Sequence, residues 1–305
     1  MTPLPATLRK AMARRRQIAD LNDGTTDAYR LCDGAGDGLP GIFIDTLAGH
    51  WLVQTKGVPM PAELAQAPQL GWKSLWWKRL DQEEKSSHQH IAGERLEHVI
   101  IRENGLRLLL DFQAGYSQGI FLDQRLQRRR IQANAPGQRV LNLFAYTCAF
   151  SVAAAAGGAL TESIDLSRPY LDWGKRNFEL NGLDPTPHFF CRGDSFDWLR
   201  RLARKGLQYD LVILDPPSFS RNQEGKLWRV EKDYASLVTA ALAVTKPGGQ
   251  LLCCTNHHGI SPRQFQDWLQ AGAATAGRSI RKYEWGGAPE DFTGERYLKV
   301  AWLNV

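Results

Sequence analysis

Beyond residue 137, short apolar runs alternate with stretches whose apolar residues recur every three or four positions. The runs predict strands, in "RVLNLFAY", "LTESIDLS", "HFFCRGDS", "YDLVILDPP" and "QLLCCTNH". The stretches between them predict helices, in "SVAAAAGGA", "PYLDWGKRNFELNGL", "FDWLRRLARKG" and "EKDYASLVTAALAVTKPGG". Strands that alternate with crossover helices form a parallel sheet covered on both faces. The pattern therefore predicts a doubly wound α/β domain.

The amino-terminal part shows shorter runs of alternating apolar and polar residues, which are typical of antiparallel strands. Turns are predicted at Ala48-Gly49 and, in the hairpin-like "VIIRENGLRLLLDF" that opens the larger domain, at Asn104-Gly105. Asn-Gly between alternating runs is a strong hairpin signal. This part is therefore expected to be a small α+β domain, over residues 1–100. The larger domain is expected over residues 101–305.

Two features of the small domain suit contact with a substrate. Residues 5–19 predict an amphipathic basic helix, which is either a packing helix or an arm that contacts phosphate. Trp72, Trp76 and Trp77 in "GWKSLWWKRL" could stack on bases, although core or interdomain packing is favoured for aromatic residues at this spacing.

Length and composition are those of a soluble globular protein. The chain has 305 residues, of which 43% are hydrophobic and 23% charged, and no apolar run reaches the length needed to cross a bilayer. The first twenty residues lack the apolar stretch of a secretory signal. We therefore expect a cytoplasmic protein that is not bound to a membrane.

Cysteine spacing and charge narrow the function classes. The five cysteines are an odd number without a CxxC pair, which argues against a disulfide framework or a zinc ribbon. His257 and His258 lack partners at metal-ligand spacing, so no metal is expected. The net charge of +6 favours a polyanionic partner such as nucleic acid.

Acidic residues directly follow three of the predicted strands. They are Asp165 in "SIDLS", Asp194 in "RGDSF" and Asp215 in "DLVILDPPSFSR". Ligands of a doubly wound sheet bind beyond the carboxyl ends of its strands, so these side chains are expected to face one ligand. Three carboxylates repel one another unless hydroxyl or amine groups lie between them. Helix N-caps remain the alternative for Asp165 and Asp194.

The first strand runs into residues 142–151, "NLFAYTCAFS", which lead into an Ala-rich helix. This segment has no G-x-G-x-x-G pattern, and no Walker motif is present, so no cradle for a pyrophosphate is predicted. A cofactor with ribose and adenine but without phosphates fits better. The strand ends therefore point to S-adenosyl-L-methionine.

These motifs resemble class I S-adenosylmethionine-dependent methyltransferases, and within them the large-subunit ribosomal RNA methyltransferases of the RlmI and RlmK type. The shared motifs follow in family order, as "YRLCDGAGDGLPGIFID", "YSQGIFLDQR", "VLNLFAYT", "DLSRPYLDWGKRNFELNGL" and "DLVILDPPSFS". The resemblance implies a doubly wound, seven-stranded Rossmann-like methyltransferase sheet beside the smaller α+β domain. It also implies RNA, and ribosomal RNA in particular, as partner, while a homodimer stays open.

The resemblance also implies roles for individual residues. Asp165 corresponds to the acid on the ribose, Asp194 to the residue beside the adenine amine, and residues 142–150 to the loop around the methionine end. Cofactor contacts are implied for Gln118, Phe121, Arg125, Asn142, Phe144, Ala145, Tyr146, Thr147, Asp165, Leu166, Ser167, Asp194, Ser195 and Asp215. Catalytic roles are implied for Asn256 and for the DPP loop, residues 215–219, through Asp215, Pro216, Pro217 and Phe219. In the motif "YSQGIFLDQR", the start of a helix and a salt bridge are the alternative for its polar residues.

Two departures from the family bear on chemistry. Cys148 stands where the family's first loop has glycine. Asn256 aligns with the nucleophilic cysteine of relatives that methylate cytosine carbon 5, and RlmK-type relatives that methylate guanine N7 have Asn there. Carbon 5 needs a thiolate to add to the neighbouring carbon, whereas guanine N7 already carries a lone pair.

The sequence therefore predicts S-adenosylmethionine-dependent methyl transfer to a base of ribosomal or other structured RNA, with direct in-line transfer to a guanine nitrogen favoured. The alternatives are a cytosine carbon-5 RNA methyltransferase that uses Cys253 or Cys254, a small-molecule methyltransferase, and a non-catalytic protein that binds cofactor or RNA.

Overall fold

The computed structural model describes residues 4–81, 88–115, 117–221 and 227–305. The chain forms two compact units. The first comprises Met1–Arg125 and Ala288–Glu295, and the second Leu126–Gly287 and Arg296–Val305. The predicted boundary between residues 100 and 101 lies inside the first unit. It would divide a hairpin strand, His98–Glu103, that belongs to this unit.

The first unit contains a five-stranded sheet and a separate hairpin. Its helices are α1 (Leu4–Arg15) and α2 (Ala62–Ala65). Its strands are β1 (Ala28–Asp33), β2 (Ile42–Leu47), β3 (His50–Thr55), β4 (Ser74–Arg79), β5 (Gln89–Gly93), β6 (His98–Glu103) and β7 (Leu106–Asp111). The sheet order is β1-β2-β3-β4-β5, and β6 pairs with β7. Both predicted turns are present, with positive φ angles at Ala48, Gly49, Asn104 and Gly105.

Helix α1 packs on the first unit through one face. Leu8, Ala11 and Arg15 are buried, and the helix ends at Arg15 rather than at residue 19. The Arg15 guanidinium donates two hydrogen bonds of 2.6 Å to the Asp37 carboxylate. This is the contact of a packing helix, while the remaining basic side chains of α1 stay exposed, namely Arg9, Lys10 and Arg14.

Trp76 belongs to the core of the first unit. Its side chain is fully buried, and its ring stacks on Phe112 with centroids 4.6 Å apart. The core packing favoured for these tryptophans is therefore observed for Trp76, whose ring does not face a nucleic acid base.

The second unit is built on a seven-stranded sheet. Its strands are β8 (Arg139–Leu143), β9 (Leu160–Asp165), β10 (Phe189–Arg192), β11 (Tyr209–Leu214), β14 (Thr245–Thr255), β15 (Lys282–Gly286) and β16 (Lys299–Asn304), with a small hairpin of β12 (Phe219–Arg221) and β13 (Leu227–Arg229). Its helices are α3 (Arg125–Asn134), α4 (Ala149–Ala156), α5 (Arg168–Leu180), α6 (Ser195–Arg204), α7 (Val230–Leu242) and α8 (Pro262–Thr275). The first residue of α3, Arg125, is counted with the first unit.

The sheet order is β10-β9-β8-β11-β14-β16-β15. The first five strands pair in parallel, whereas β16 is antiparallel to β14 and to β15. The strand order reverses between β8 and β11, which is where a doubly wound sheet opens a crevice at its carboxyl edge. The predicted doubly wound, seven-stranded sheet is confirmed. Among the described residues no helix is both long and apolar enough to cross a membrane.

Candidate functional site

The loop after β8 has a strained backbone. Phe144, Tyr146 and Cys148 have φ angles of 57°, 49° and 60°, and only two other non-glycine residues in the described part of the chain have positive φ. Each such residue costs about 1–2 kcal/mol, and strain of this kind persists where the surroundings enforce it, often at binding sites. Here Ala145 N–H donates to the Ile164 carbonyl at 2.9 Å, in the neighbouring strand. The buried Ala145 thus anchors the loop to β9.

Asp165 connects this loop with the next one. One carboxylate oxygen accepts from Tyr146 N–H and the other from Ser167 N–H, both at 2.8 Å. Burial raises the pKa of the Asp165 carboxyl above its usual value, against backbone hydrogen bonds that lower it. Ser167 itself is the N-cap of α5, and Leu166 stands between the two, half-buried. A carboxylate accepts about four hydrogen bonds, so Asp165 retains acceptor capacity for a diol.

Asp194 is the N-cap of α6. Its Oδ1 accepts from Phe196 N–H at 2.9 Å and from Asp197 N–H at 3.3 Å. Asp194 therefore has the helix N-cap role that was the alternative to ligand binding, and both capping bonds use the same oxygen. Ser195, the first residue of the helix, is buried. A ligand role for Asp194 would rest on Oδ2 and remains a prediction.

The DPP loop and Asn256 are in direct contact. Asn256 directly follows β14, and its Oδ1 accepts a hydrogen bond of 3.1 Å from the Ser218 hydroxyl. Asp215 follows β11 and is half-buried, Pro216 is buried, and Phe219 is 56% exposed. The predicted residues of two neighbouring strand ends are thus brought together. One of them presents an exposed aromatic ring.

Asn142 and Thr147 support the first loop from inside. Both side chains are about 1% exposed. Asn142 Nδ2 donates to the Ser151 hydroxyl at 2.9 Å, and the Thr147 carbonyl accepts from Asn177 at 3.0 Å. The first bond fixes α4 against β8 and the second ties the loop to α5, so the Asn142 side chain and the Thr147 backbone both hold the loop in place.

The three predicted cofactor residues near the start of α3 belong to the first unit. Arg125 is 1% exposed and forms a two-fold hydrogen-bonded ion pair with Asp291, at 2.6 and 3.2 Å. Gln118 is buried and donates to the Ile120 carbonyl at 3.3 Å, while Phe121 is 41% exposed. For Arg125 the helix-start and salt-bridge interpretation is the observed one.

Cys148 adopts the αL conformation, with φ at 60°, and its side chain points into the packing of α4 on α5. The thiol is fully buried, and burial raises its pKa to about 12. A Cβ built on Gly174 in α5 would lie 2.5 Å from Cys148 Sγ. The thiol therefore occupies the space that the missing side chain of Gly174 leaves.

Gly174→Ala is expected to lower the free energy of unfolding by about 1–3 kcal/mol, because the new methyl group overlaps the Cys148 thiol. Adding Cys148→Gly should restore most of the loss, since it removes the Cys148 Sγ and Cβ atoms that would lie 2.5 and 2.8 Å from the new methyl group. Urea unfolding of the single and double variants measures this. Gly287→Ala is the matched control, because a Cβ there meets nothing within 4 Å. Additive losses in the double variant would disprove the contact.

The two cysteines of β14 are sealed in the sheet. Cys253 and Cys254 are both 0% exposed, and Cys253 pairs with Leu214 on one side and Ala301 on the other. Burial raises the pKa of the Cys253 thiol well above its usual value. A neutral, enclosed thiol at this position packs the core and cannot reach a substrate without rearrangement.

The two histidines after Asn256 have protein partners. His257 Nε2 lies 3.0 Å from Glu231 Oε1, and the His258 ring stacks on Tyr297 at 5.2 Å. Within the described ranges no group of three metal-ligating side chains occurs.

Sequence reasoning missed two residues of the site, Trp228 and Tyr234. Trp228 Nε1 donates to the Pro217 carbonyl at 2.7 Å, and the Tyr234 hydroxyl lies 2.9 Å from the Cys254 carbonyl. They follow the end of the DPP loop by nine and fifteen positions, in segments whose pattern indicates only a loop and a helix. No local signal in the sequence identifies contacts of this kind.

The donor set suits a nucleoside with an amino acid tail. The half-buried carboxylates at the ends of β9 and β11 suit hydroxyl groups and a developing positive charge, respectively, and the strained loop lies against the first of them. Neither the carboxylates nor the strained loop forms a typical site for a phosphate group or a metal ion. These residues fit S-adenosyl-L-methionine.

Comparison with known proteins agrees with this fit. Residues 64–294 match the family model described as S-adenosylmethionine-dependent methyltransferase. The chain is 35% identical to the putative ribosomal RNA large subunit methyltransferase YwbD of Bacillus subtilis, over 97% of this chain and 79% of that protein. It is 34% identical to ribosomal RNA large subunit methyltransferase I of Aeromonas salmonicida, over 84% of this chain and 67% of that protein.

A solved structure extends the likeness to three dimensions. The crystal structure of SMU.776, a putative methyltransferase complexed with SAH, superposes with a TM-score of 0.88. The two sequences are 31% identical, and the match covers 98% of this chain and 80% of the other.

Proposed function

The chain belongs to the RlmI- and RlmK-type family of S-adenosylmethionine-dependent methyltransferases, and on this premise we propose that it methylates a base of ribosomal RNA, at a guanine nitrogen. The family relation gives the enzyme class and the cofactor, S-adenosyl-L-methionine. The choice of RNA is supported by the names of the relatives and by the net charge of +6.

The observation that carries the choice of nitrogen is the hydrogen bond between Ser218 and Asn256 at 3.1 Å. It places a polar amide, and no thiol, at the strand end beside the DPP loop. Methylation of carbon 5 needs a thiolate there, whereas a guanine ring nitrogen has its own lone pair. An amide and a carboxylate can orient such a base by hydrogen bonds.

In this proposal each strand end has a distinct role. Asp165 holds the ribose hydroxyls, Asp194 the adenine amine, and the loop at 144–148 the methionine end of the cofactor. When bound, the cofactor supplies an electrophilic methyl group on its sulfonium sulfur. The lone pair of the base nitrogen forms the new N–C bond as the S–C bond breaks, and positive charge moves onto the base. Asp215 stabilises that charge and accepts a proton if the target is an amine.

The target base has to leave its stack to reach this site. Unstacking costs a few kcal/mol, and less in loops of structured RNA. Phe219, 56% exposed at the end of the DPP loop, offers a surface for the extruded base.

Cys253→Ala and Cys254→Ala are expected to leave turnover unchanged, because neither thiol takes part in transfer to nitrogen. Initial rates with labelled cofactor measure this, and thermal unfolding shows that each variant is folded. A folded but inactive Cys254→Ala variant would support the cytosine carbon-5 reaction instead.

The test of RNA as acceptor uses methyl-labelled S-adenosyl-L-methionine and total RNA from a strain that lacks the gene. We expect label in the large-subunit ribosomal RNA, with RNA binding that weakens as salt rises. Label only in the small-molecule fraction would indicate a metabolite methyltransferase. Cofactor binding without any transfer would indicate a non-catalytic binder.

A further inference from the structure

We propose that Trp228 is a positioning residue that aligns the DPP loop for methyl transfer. The inference rests on the proposed function, since it concerns the same site. Trp228 lies in the middle of β13, outside every motif that the sequence shares with its family, and is 7% exposed. It touches no reacting group and acts through the loop.

The indole holds the DPP loop by its backbone. Pro216 and Pro217 have no amide hydrogen, so only their carbonyls can be fixed by hydrogen bonds. The Trp228 N–H donates to the Pro217 carbonyl at 2.7 Å. This bond sets the peptide plane that leads into Ser218, whose hydroxyl donates to Asn256 at 3.1 Å. The orientation of Asn256 therefore depends on the indole through one residue.

The same ring touches two other strand-end segments. Its centroid lies 5.8 Å from the ring of Phe144, in the strained loop after β8. It lies 6.0 Å from the ring of Phe196, whose N–H is capped by Asp194. The two segments proposed to hold the methionine and adenine ends of the cofactor thus rest on one side chain, together with the loop proposed to hold the base.

Tyr234 packs against Trp228 and contacts two strand ends. Its ring lies 6.5 Å from that of Trp228, and its hydroxyl lies 2.9 Å from the Cys254 carbonyl and 3.3 Å from the Leu214 carbonyl. These carbonyls belong to the ends of β14 and β11, where Asn256 and the DPP loop begin. Tyr234 is therefore fixed to both strand ends and supports the Trp228 ring. This support gives the DPP loop a defined position.

In-line transfer depends steeply on alignment, and a displacement of about 1 Å can lower the rate about 100-fold. Trp228→Phe removes the hydrogen bond to Pro217 but keeps an aromatic ring to pack against Phe144 and Phe196, so the segments proposed to bind the cofactor retain their support. We expect kcat to fall about 10- to 100-fold with an unchanged Kd for the cofactor. If Trp228 had only a structural role, the substitution would lower stability without lowering kcat at an unchanged cofactor Kd.

Trp302→Phe is the matched control. Trp302 lies in β16, is 3% exposed, and its N–H donates to Gln127 Oε1 at 2.8 Å. The substitution removes an indole hydrogen bond of similar length from a buried tryptophan outside the DPP loop. We expect a similar fall in Tm and an unchanged kcat. Equal kcat values for the two variants would overturn the proposal.

A second measurement separates this inference from the choice of substrate. Amide hydrogen exchange of Ser218 and Phe219, followed without any acceptor, should become more than tenfold faster in Trp228→Phe and stay unchanged in Trp302→Phe. Unchanged exchange in Trp228→Phe would overturn the positioning role whatever the acceptor is. A wild-type enzyme that shows the expected exchange but does not methylate RNA would refute only the proposed substrate.

Discussion

Replacing Asp215 with alanine is expected to lower kcat by about 10²–10⁴ and to leave the Kd for S-adenosyl-L-methionine nearly intact. In the proposed mechanism this carboxylate, the first residue of the DPP loop after β11, lies where charge develops on the target base. Its loss removes stabilisation of the transition state, while the ribose and adenine contacts assigned to Asp165 and Asp194 remain.

Single-turnover kinetics and calorimetric cofactor titration measure the two quantities. Asp210→Ala is the control, because Asp210 occupies the opposite, amino-terminal end of the same strand, where it accepts from Arg139 N–H at 2.8 Å and pairs with Lys246 at 2.7 Å. The control should keep its kcat. Full activity of Asp215→Ala would exclude the DPP carboxylate from the mechanism.

Asp291→Ala is expected to lower the free energy of unfolding of the first unit by about 3–5 kcal/mol. The Asp291 side chain is fully buried and accepts from Arg125 at 2.6 Å and from Arg30 N–H at 2.8 Å. Its removal leaves the charge of Arg125, which is 1% exposed, without this partner. An uncompensated buried charge is among the largest single penalties in a protein.

Urea unfolding followed by fluorescence and by circular dichroism measures this loss. Glu284→Ala provides the comparison, because Glu284 pairs with Arg130 at 2.9 Å while both side chains are about one third exposed. Exposed pairs contribute about 0–1 kcal/mol. Similar losses for both variants would show that burial does not set the value of the Asp291 pair.

The sequence was sufficient to predict features that depend on local pattern. Alternating apolar runs and helices indicate the parallel sheet, and the order of a doubly wound sheet places Asp165 and Asp215 at its carboxyl edge. Ala48-Gly49 and Asn104-Gly105 adopt the positive φ angles that their turns require.

Contacts between distant positions could not be predicted in this way. Arg125 and Asp291 are 166 residues apart, and no periodicity relates them. Trp228 meets Phe144 and Phe196 only after three strand ends have converged. The compensation between Cys148 and Gly174 likewise needs the packing of two helices.

Asp194 shows that one pattern can serve two purposes. An acid at the end of a strand is also the residue before a helix, so ligand binding and capping have the same signature. The structure records the capping bonds of Asp194, whereas the carboxylate of Asp165 accepts from two separate loops. Of the two, Asp165 is better placed by its surroundings to face a diol.

The most direct test of methyl transfer to a guanine nitrogen is the identity of the labelled nucleoside. RNA methylated in vitro by the wild-type protein and by Asp215→Ala is digested to nucleosides, which are separated and identified by mass spectrometry. We predict a labelled methylguanosine with the wild type and a product strongly reduced with the variant. Labelled 5-methylcytidine would contradict transfer to a guanine nitrogen and would indicate that a thiol of β14, Cys253 or Cys254, takes part in the reaction.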